Sequence, residues 1–199
     1  MRAAVVLAMD LRLPERQEAR ARIASFNRWT ADASSVYVCT SKDWRPQIAL
    51  LERVVAYEAA DPPEENGIQW WRLHRCWLLV NADERRRLHG QTHDWYFKVR
   101  LDFELPNAPV GQLVSSLEEH ERRASLTGVV FMDTDRFIAG RHPAFDAAGQ
   151  YFTLRRTYCP SWPSGSLCSY CQYWPVNYSL VAQSDPTVAQ LVESVCGAR

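Results

Sequence analysis

Residues 94–104 read Asp-Trp-Tyr-Phe-Lys-Val-Arg-Leu-Asp-Phe-Glu, an alternating stretch that carries Lys98 and Arg100, then Asp102 and Glu104. In an extended strand residues two apart share a face. The four charged side chains therefore point one way, and Trp95, Phe97, Val99, Leu101 and Phe103 form the buried face. At the C-terminal end of such a strand two carboxylates stand roughly 6 to 7 Å apart beside an arginine. Hard oxygen donors of this kind suit Mg²⁺ or Mn²⁺, which need only one or two protein carboxylates and complete their shell with water and phosphate oxygens. Asp102 is the first metal-ligand candidate and Glu104 the second, while Arg100 either steadies a phosphate or pairs with Asp102. The same pattern also describes an ordinary strand with one salt-bridged face.

Other candidates lie near the ends of further elements. Asp10 and Arg12, in Met9-Asp10-Leu11-Arg12, follow an apolar first strand at the end where ligands bind in open α/β sheets. Arg12 there either meets a phosphate or is a solvated loop residue. Gln69 opens a long helix whose positive N-terminal end suits a nucleotide or a sugar hydroxyl; a capping role is equally open. Asp133 and Asp135 flank Thr134 after a short strand, and either could act as a general base on a proton within hydrogen-bond reach. Asp-Thr-Asp is also good turn chemistry. His142 is a further candidate for a metal or phosphate contact.

The elements that must position these residues alternate between strand and helix. Residues 3–9 predict a buried strand, and Pro14-Glu15 starts a helix with Ala19, Ile23 and Phe26 on one stripe through about residue 30. Ser35 to Thr40 is a second strand, and Ile48, Leu51 and Val55 predict an amphipathic helix after it. Pro62-Pro63-Glu64-Glu65-Asn66-Gly67 breaks the pattern. A long helix to about Leu88 follows, with Trp70, Leu73, Trp77 and Val80 on one stripe and Arg85-Arg86-Arg87 favouring its negative end. After the charged strand come a helix near 110–123, strands at 128–132 and 135–140, and a helix at 143–152. A cysteine-rich loop, a strand at 176–182 and a terminal helix at 186–196 complete the chain. The order predicts an α/β fold, a mixed, mostly parallel Rossmann-like sheet with flanking helices.

The 199 residues, 47% hydrophobic and 23% charged, suit a single domain spanning 1–199 with a substantial core. Lys plus Arg equals Asp plus Glu at 23 each, so the chain lacks the positive excess that phosphate-backbone attraction requires, and nucleic acid is not an expected partner. The apolar run at the start ends at Asp10 after seven residues and reads as a strand rather than a signal peptide. No stretch has the apolar length of a membrane span, so the chain as given is expected to be soluble. Its compartment is open: cytoplasmic, or the Golgi lumen where an anchor is missing. Eight tryptophans suit both packing and ring-stacking clefts. Cys39 and Cys76 sit in apolar patterns and read as buried free thiols. Cys159, Cys168 and Cys171 cluster in a Pro/Ser/Gly/Tyr segment, where a disulfide, zinc or neither is open.

Asn66-Gly67-Ile68-Gln69 before the long helix, then Asp94-Trp95 through Arg100-Leu101-Asp102, then Asp135-Arg136-Phe137-Ile138-Ala139-Gly140, together resemble a group of small GT-A-like glycosyltransferases that includes plant and algal domains. The resemblance runs in order over most of residues 3–185. It implies a GT-A-like fold that binds a nucleotide-sugar near its first strands and a metal after a central strand, with Arg100-Leu101-Asp102 at the metal motif. In place of the familiar Asp-x-Asp, Asp102-Phe103-Glu104 supplies the acidic pair. The implied activity is Mn²⁺- or Mg²⁺-dependent transfer of a sugar from a UDP- or GDP-sugar to a carbohydrate or glycoconjugate hydroxyl. Asp102 and Glu104 would hold the metal, Asp10, Arg12, Gln69 and Arg100 the donor, and Asp135 or Asp133 the acceptor proton. A catalytically inactive carbohydrate- or protein-binding module on the same fold is the alternative, and a zinc-stapled interaction domain around Cys159, Cys168 and Cys171 is a third.

Overall fold

The computed structural model describes residues 2–9, 16–61, 68–101, 105, 109–124, 130–133, 137–142, 145 and 180–181. β1 (Ala3–Ala8) leads to α1 (Arg16–Trp29), β2 (Ser35–Thr40), a 3₁₀ turn (Lys42–Trp44) and a single-turn helix α2 (Arg45–Ile48). Then come β3 (Val54–Ala59), α3 (Ile68–Arg86), β4 (Trp95–Val99), α4 (Val110–Ala124), β5 (Val130–Asp133), β6 (Phe137–Gly140) and β7 (Leu180–Val181). The seven strands form one sheet in the order β3-β2-β1-β4-β6-β5-β7. β1 to β4 are mutually parallel; β6 runs antiparallel to both β4 and β5, and β7 is parallel to β5. This is the mixed, mostly parallel α/β sheet that the alternation of elements predicts.

Helices cover both faces, and the strand sequences follow from that. Parallel strands joined by crossover helices are shielded on two sides, so they read as apolar runs rather than as an alternation. All six residues of β1 are buried, as are all six of β2 and all five of β4. On one face Ile23, Phe26 and Trp29 of α1 and Val110, Leu113, Val114 and Leu117 of α4 pack on Val5, Leu7, Val36, Val38, Phe97 and Val99. On the other, Leu73, Cys76, Trp77 and Val80 of α3 pack on Val6, Ala8, Tyr37, Cys39 and Tyr96. Helix ends are closed locally. Thr30 Oγ donates to the Phe26 carbonyl at 2.9 Å after α1, and Asp32 accepts the first-turn amide of Gly111 at 3.0 Å at the start of α4. Past α3 the chain turns through His89 and Gly90, both at positive φ.

Two expectations are corrected here. The helix predicted through Ile48, Leu51 and Val55 stops at Ile48, and Val55 belongs to β3. Spacings of three and four residues imitate a helical stripe, but Arg53 adopts φ 58°, a left-handed turn that no helix continues through. The charged strand is the second case. It ends as a strand at Val99, and its expected polar face is not solvated: Lys98 is 1% exposed, beneath α3 and between Val6 and Ile138 in register. The predicted segments at 143–152 and 186–196, and the cysteine-rich loop, lie outside the described residues apart from Phe145.

Candidate functional site

From β1 the chain builds β2 and β3 to one side, then crosses through α3 to place β4 on the other side of β1. The connections leaving β1 and β4 therefore diverge, and the C-terminal ends of these two strands border the crevice where open α/β sheets bind ligands. The ends are in contact: the amide of Leu101 approaches Met9 Sδ at 2.9 Å, and the amide of Met9 continues the ladder to the Cys39 carbonyl at 3.1 Å. Met9 and Leu101 are both buried and form the floor of this edge, while Arg100 between strand and floor is half-buried.

Register places the C-terminal end of β5 and the start of β6 at the same rim. Val99 pairs with Phe137 and Asp133 with Phe137, so the connection that carries Asp135 spans from β5 to β6 beside the end of β4. α3 starts at Ile68, after the connection that leaves the C-terminal end of β3, which puts the backbone of Gln69 on this side too. The topology thus gathers the connections after β1, β3, β4 and β5 on one edge. Asp10, Arg12, Asp102, Glu104 and Asp135 lie outside the described residues, and for Gln69 and Asp133 the backbone alone is described. Among the described residues no group of three His, Cys, Asp or Glu side chains is placed to hold a metal ion.

Beside the floor is a recess that the sequence reading missed. Leu7, Val38 and Thr40 from the ends of β1 and β2, Ile23 from α1, Trp44, Gln47, Ile48 and Leu51 from the segment after β2, and Leu101 line a small recess of about 10 Å³, room for about one water-sized group. Its lining is apolar except for two groups. Thr40 Oγ1 and Gln47 Oε1 are buried and have no hydrogen-bond partner among the described residues. A buried polar atom left unpaired costs about 1–3 kcal/mol. Ser-Val-Tyr-Val-Cys-Thr held the signal, since a threonine closing a buried parallel strand stands at that edge.

The opposite edge carries a second polar cluster. Glu84 of α3 accepts the backbone amide of His93 at 3.0 Å, the ring Nδ1–H of His93 at 2.8 Å and the phenol of Tyr96. His93 Nε2 lies 3.2 Å from Ser35 Oγ, and Arg87 donates to that oxygen at 2.6 Å. Tyr37 donates to Asp83 at 2.8 Å. Burial would raise the Glu84 carboxyl, but the bonds from His93 and Tyr96 outweigh it and hold the group below its ordinary value. Burial, reinforced by the carboxylate partner in each case, pushes both Tyr37 and Tyr96 upward. Ser35, His93 and Glu84 have the spacing of a nucleophile, base and orienting acid, yet Ser35 is fully buried and the cluster sits below the N-terminal ends of the strands. It anchors α3 to the sheet and admits no substrate. His142, an expected ligand contact, belongs to this end. Its ring lies 5.4 Å from that of Trp77 and 5.7 Å from that of Tyr96, and its Nε2 is 3.9 Å from Glu84. β6 runs antiparallel to β4, so the residues after Gly140 return to the edge remote from the crevice.

No family model and no curated protein matches the chain. Among solved structures, a glycosyltransferase involved in the glycosylation of the major capsid of PBCV-1 aligns over 90% of this chain and 81% of its own at 12% identity, with a TM-score of 0.48. CMP:2-keto-3-deoxy-manno-octonic acid synthetase complexed with CTP aligns over 79% and 84%, also at 12% identity, with a TM-score of 0.35. Likeness at this level assigns no residue a role. No helix among the described residues is long and apolar enough to cross a membrane.

Proposed function

We propose that the chain transfers a sugar from a nucleotide-sugar donor to an acceptor hydroxyl, with the donor seated along the C-terminal edge of β1, β2 and β4. The observation that carries the reading is the divergence of β1 and β4, which sets the crevice of an open α/β sheet at their C-terminal ends. A donor in that crevice would set its phosphates beside the residues that follow β1 and β4.

Those residues have the right chemistry. Arg12 and Arg100 would balance phosphate charge, with Asp10 and Gln69 meeting ribose or sugar hydroxyls. Asp102 and Glu104 are hard oxygen donors of the kind that fits Mg²⁺ or Mn²⁺ with a small protein share of the coordination shell. Such an ion, when bound, would neutralise charge developing on the leaving diphosphate. Asp135, with Asp133 as the second candidate, would accept the proton of the acceptor hydroxyl. Arg100 and the connection bearing Asp135 flank the same strand end, which is what orienting donor and acceptor against each other requires.

Calorimetric titration with UDP, GDP and their sugars, with and without Mn²⁺, tests the reading. Binding of at least one nucleotide is expected, tightened by the ion. Asp102→Asn should remove metal-assisted turnover at an unchanged melting temperature. A chain that binds none of these nucleotides under either condition is not this kind of transferase, and an Asp102→Asn variant with full turnover would acquit that residue.

A further inference from the structure

Cys39 and Cys76 are both free thiols in the core cluster beneath α3, 1% and 0% exposed. Two independent relations bring them together. Cys39 pairs with Glu58 on β3, and Glu58 receives a two-pronged bond from Arg75, the chain neighbour of Cys76, at 2.8 and 2.7 Å. On the other side Cys39 pairs with Ala8 of β1, and the Cys76 thiol reaches the carbonyl of Leu7, the residue before Ala8, at 4.0 Å. Burial, with Cys39 beside it, pushes the Cys76 thiol well above its ordinary value, so the thiolate forms only when α3 opens. One sulfur on the middle of a helix is thus held against one sulfur on the strand below it, over a sequence separation of 37 residues (76 minus 39).

We propose that Cys39 and Cys76 are a redox-closable staple that locks α3 onto β2 when a hydroperoxide reaches them. This goes beyond the transferase reading and does not depend on it. One thiolate attacks a peroxide oxygen, the O–O bond breaks and the departing hydroxide takes up a proton as water, leaving a sulfenic acid. The second sulfur attacks the sulfenic sulfur, the S–O bond breaks and a second water leaves. Two thiols and one hydrogen peroxide give one disulfide and two waters. Because both sulfurs are buried, the reaction waits for local opening of α3, and its rate levels off as peroxide is raised instead of climbing in proportion. An exposed thiol shows no such ceiling. Closing the loop restricts the unfolded chain, so the oxidised protein melts roughly 5 to 10 °C higher.

The full-length chain is treated with graded hydrogen peroxide, unfolded in alkylating reagent, digested without reductant and analysed by mass spectrometry, with melting curves on parallel samples. Expected is a peptide pair joining Cys39 to Cys76, two hydrogens lighter than the sum of its parts and dissolved by dithiothreitol, appearing with the saturating rate. The melting gain should be absent from Cys39→Ala and Cys76→Ala. The peptide map of the unsubstituted chain decides the matter even where those variants fold poorly. Recovery of Cys39 and Cys76 as separate alkylated or sulfinic peptides, or joined only to Cys159, Cys168, Cys171 or Cys196, overturns the proposal.

Discussion

Replacing Glu84 by glutamine tests whether the cluster at the N-terminal edge is the anchor of α3. Glu84 Oε1 accepts two bonds from His93 and one from Tyr96, all in a buried setting. Hydrogen bonds to a charged group contribute about 1.5–3 kcal/mol each, and neutral ones about 0.5–1.5. Glutamine keeps an acceptor oxygen but loses the charge, so the loss spread over the cluster should reach about 2–3 kcal/mol. In a chain of this size that lowers the melting temperature by roughly 4 to 10 °C. The folded carboxyl lies below its ordinary value, so the stability it supplies is fully present above the unfolded pKa of about 4.3 and is lost as pH falls through the folded value. Melting curves from pH 7 down to pH 3 should show the wild type losing its advantage across that window and Glu84→Gln falling less steeply. Nucleotide affinity should not change, because the cluster lies at the other end of the strands. A melting shift under about 1 °C, or an unaltered acid limb, would refute the network as an anchor.

Two further substitutions probe the other parts of the molecule. Thr40→Val removes a buried hydroxyl without a partner and keeps a β-branched shape. The protein should melt at the same temperature or slightly higher, because the substitution removes a buried hydroxyl unpaired among the described residues; a melting temperature lowered by several degrees would refute the reading of Thr40 as an orphaned group. Trp77→Ala empties the centre of the α3-facing core, where Trp77 meets Tyr96 and Phe145 at ring separations of 5.3 and 5.6 Å, and should cost about 3–5 kcal/mol in urea unfolding.

The sequence made the parallel half of the sheet legible because its two periods are clean there. Ala3–Ala8 and Ser35–Thr40 are uninterrupted apolar or β-branched runs, and Leu73, Trp77 and Val80 keep one stripe through α3. β3 was hidden by an accident of spacing among Ile48, Leu51 and Val55, and an arginine in the left-handed region is not a turn signal that composition reveals. Lys98 was misjudged for a related reason. Alternation identifies a two-faced strand, but whether the polar face meets water depends on the helix above it, a tertiary fact. Of the site, the edge could be inferred from chain order alone, since Asp10, Gln69, Asp102 and Asp135 all follow or precede elements at the same end. Trp44 and Gln47 could not, because the 3₁₀ turn and α2 that present them are too short to leave a period. His142 could be placed only once β6 was known to run backwards.

Thr40 at one rim and Ser35 in the anchoring cluster stand at opposite ends of β2, about 17 Å apart along the strand. Changes separated by more than about 10 Å combine with little cross-talk, within about 0.5 kcal/mol. Substitutions at the C-terminal rim can therefore accumulate while Glu84, His93 and Tyr96 stay untouched, and a damaged melting point can be repaired at one rim without disturbing the other. The scaffold keeps separate accounts for novelty and for durability.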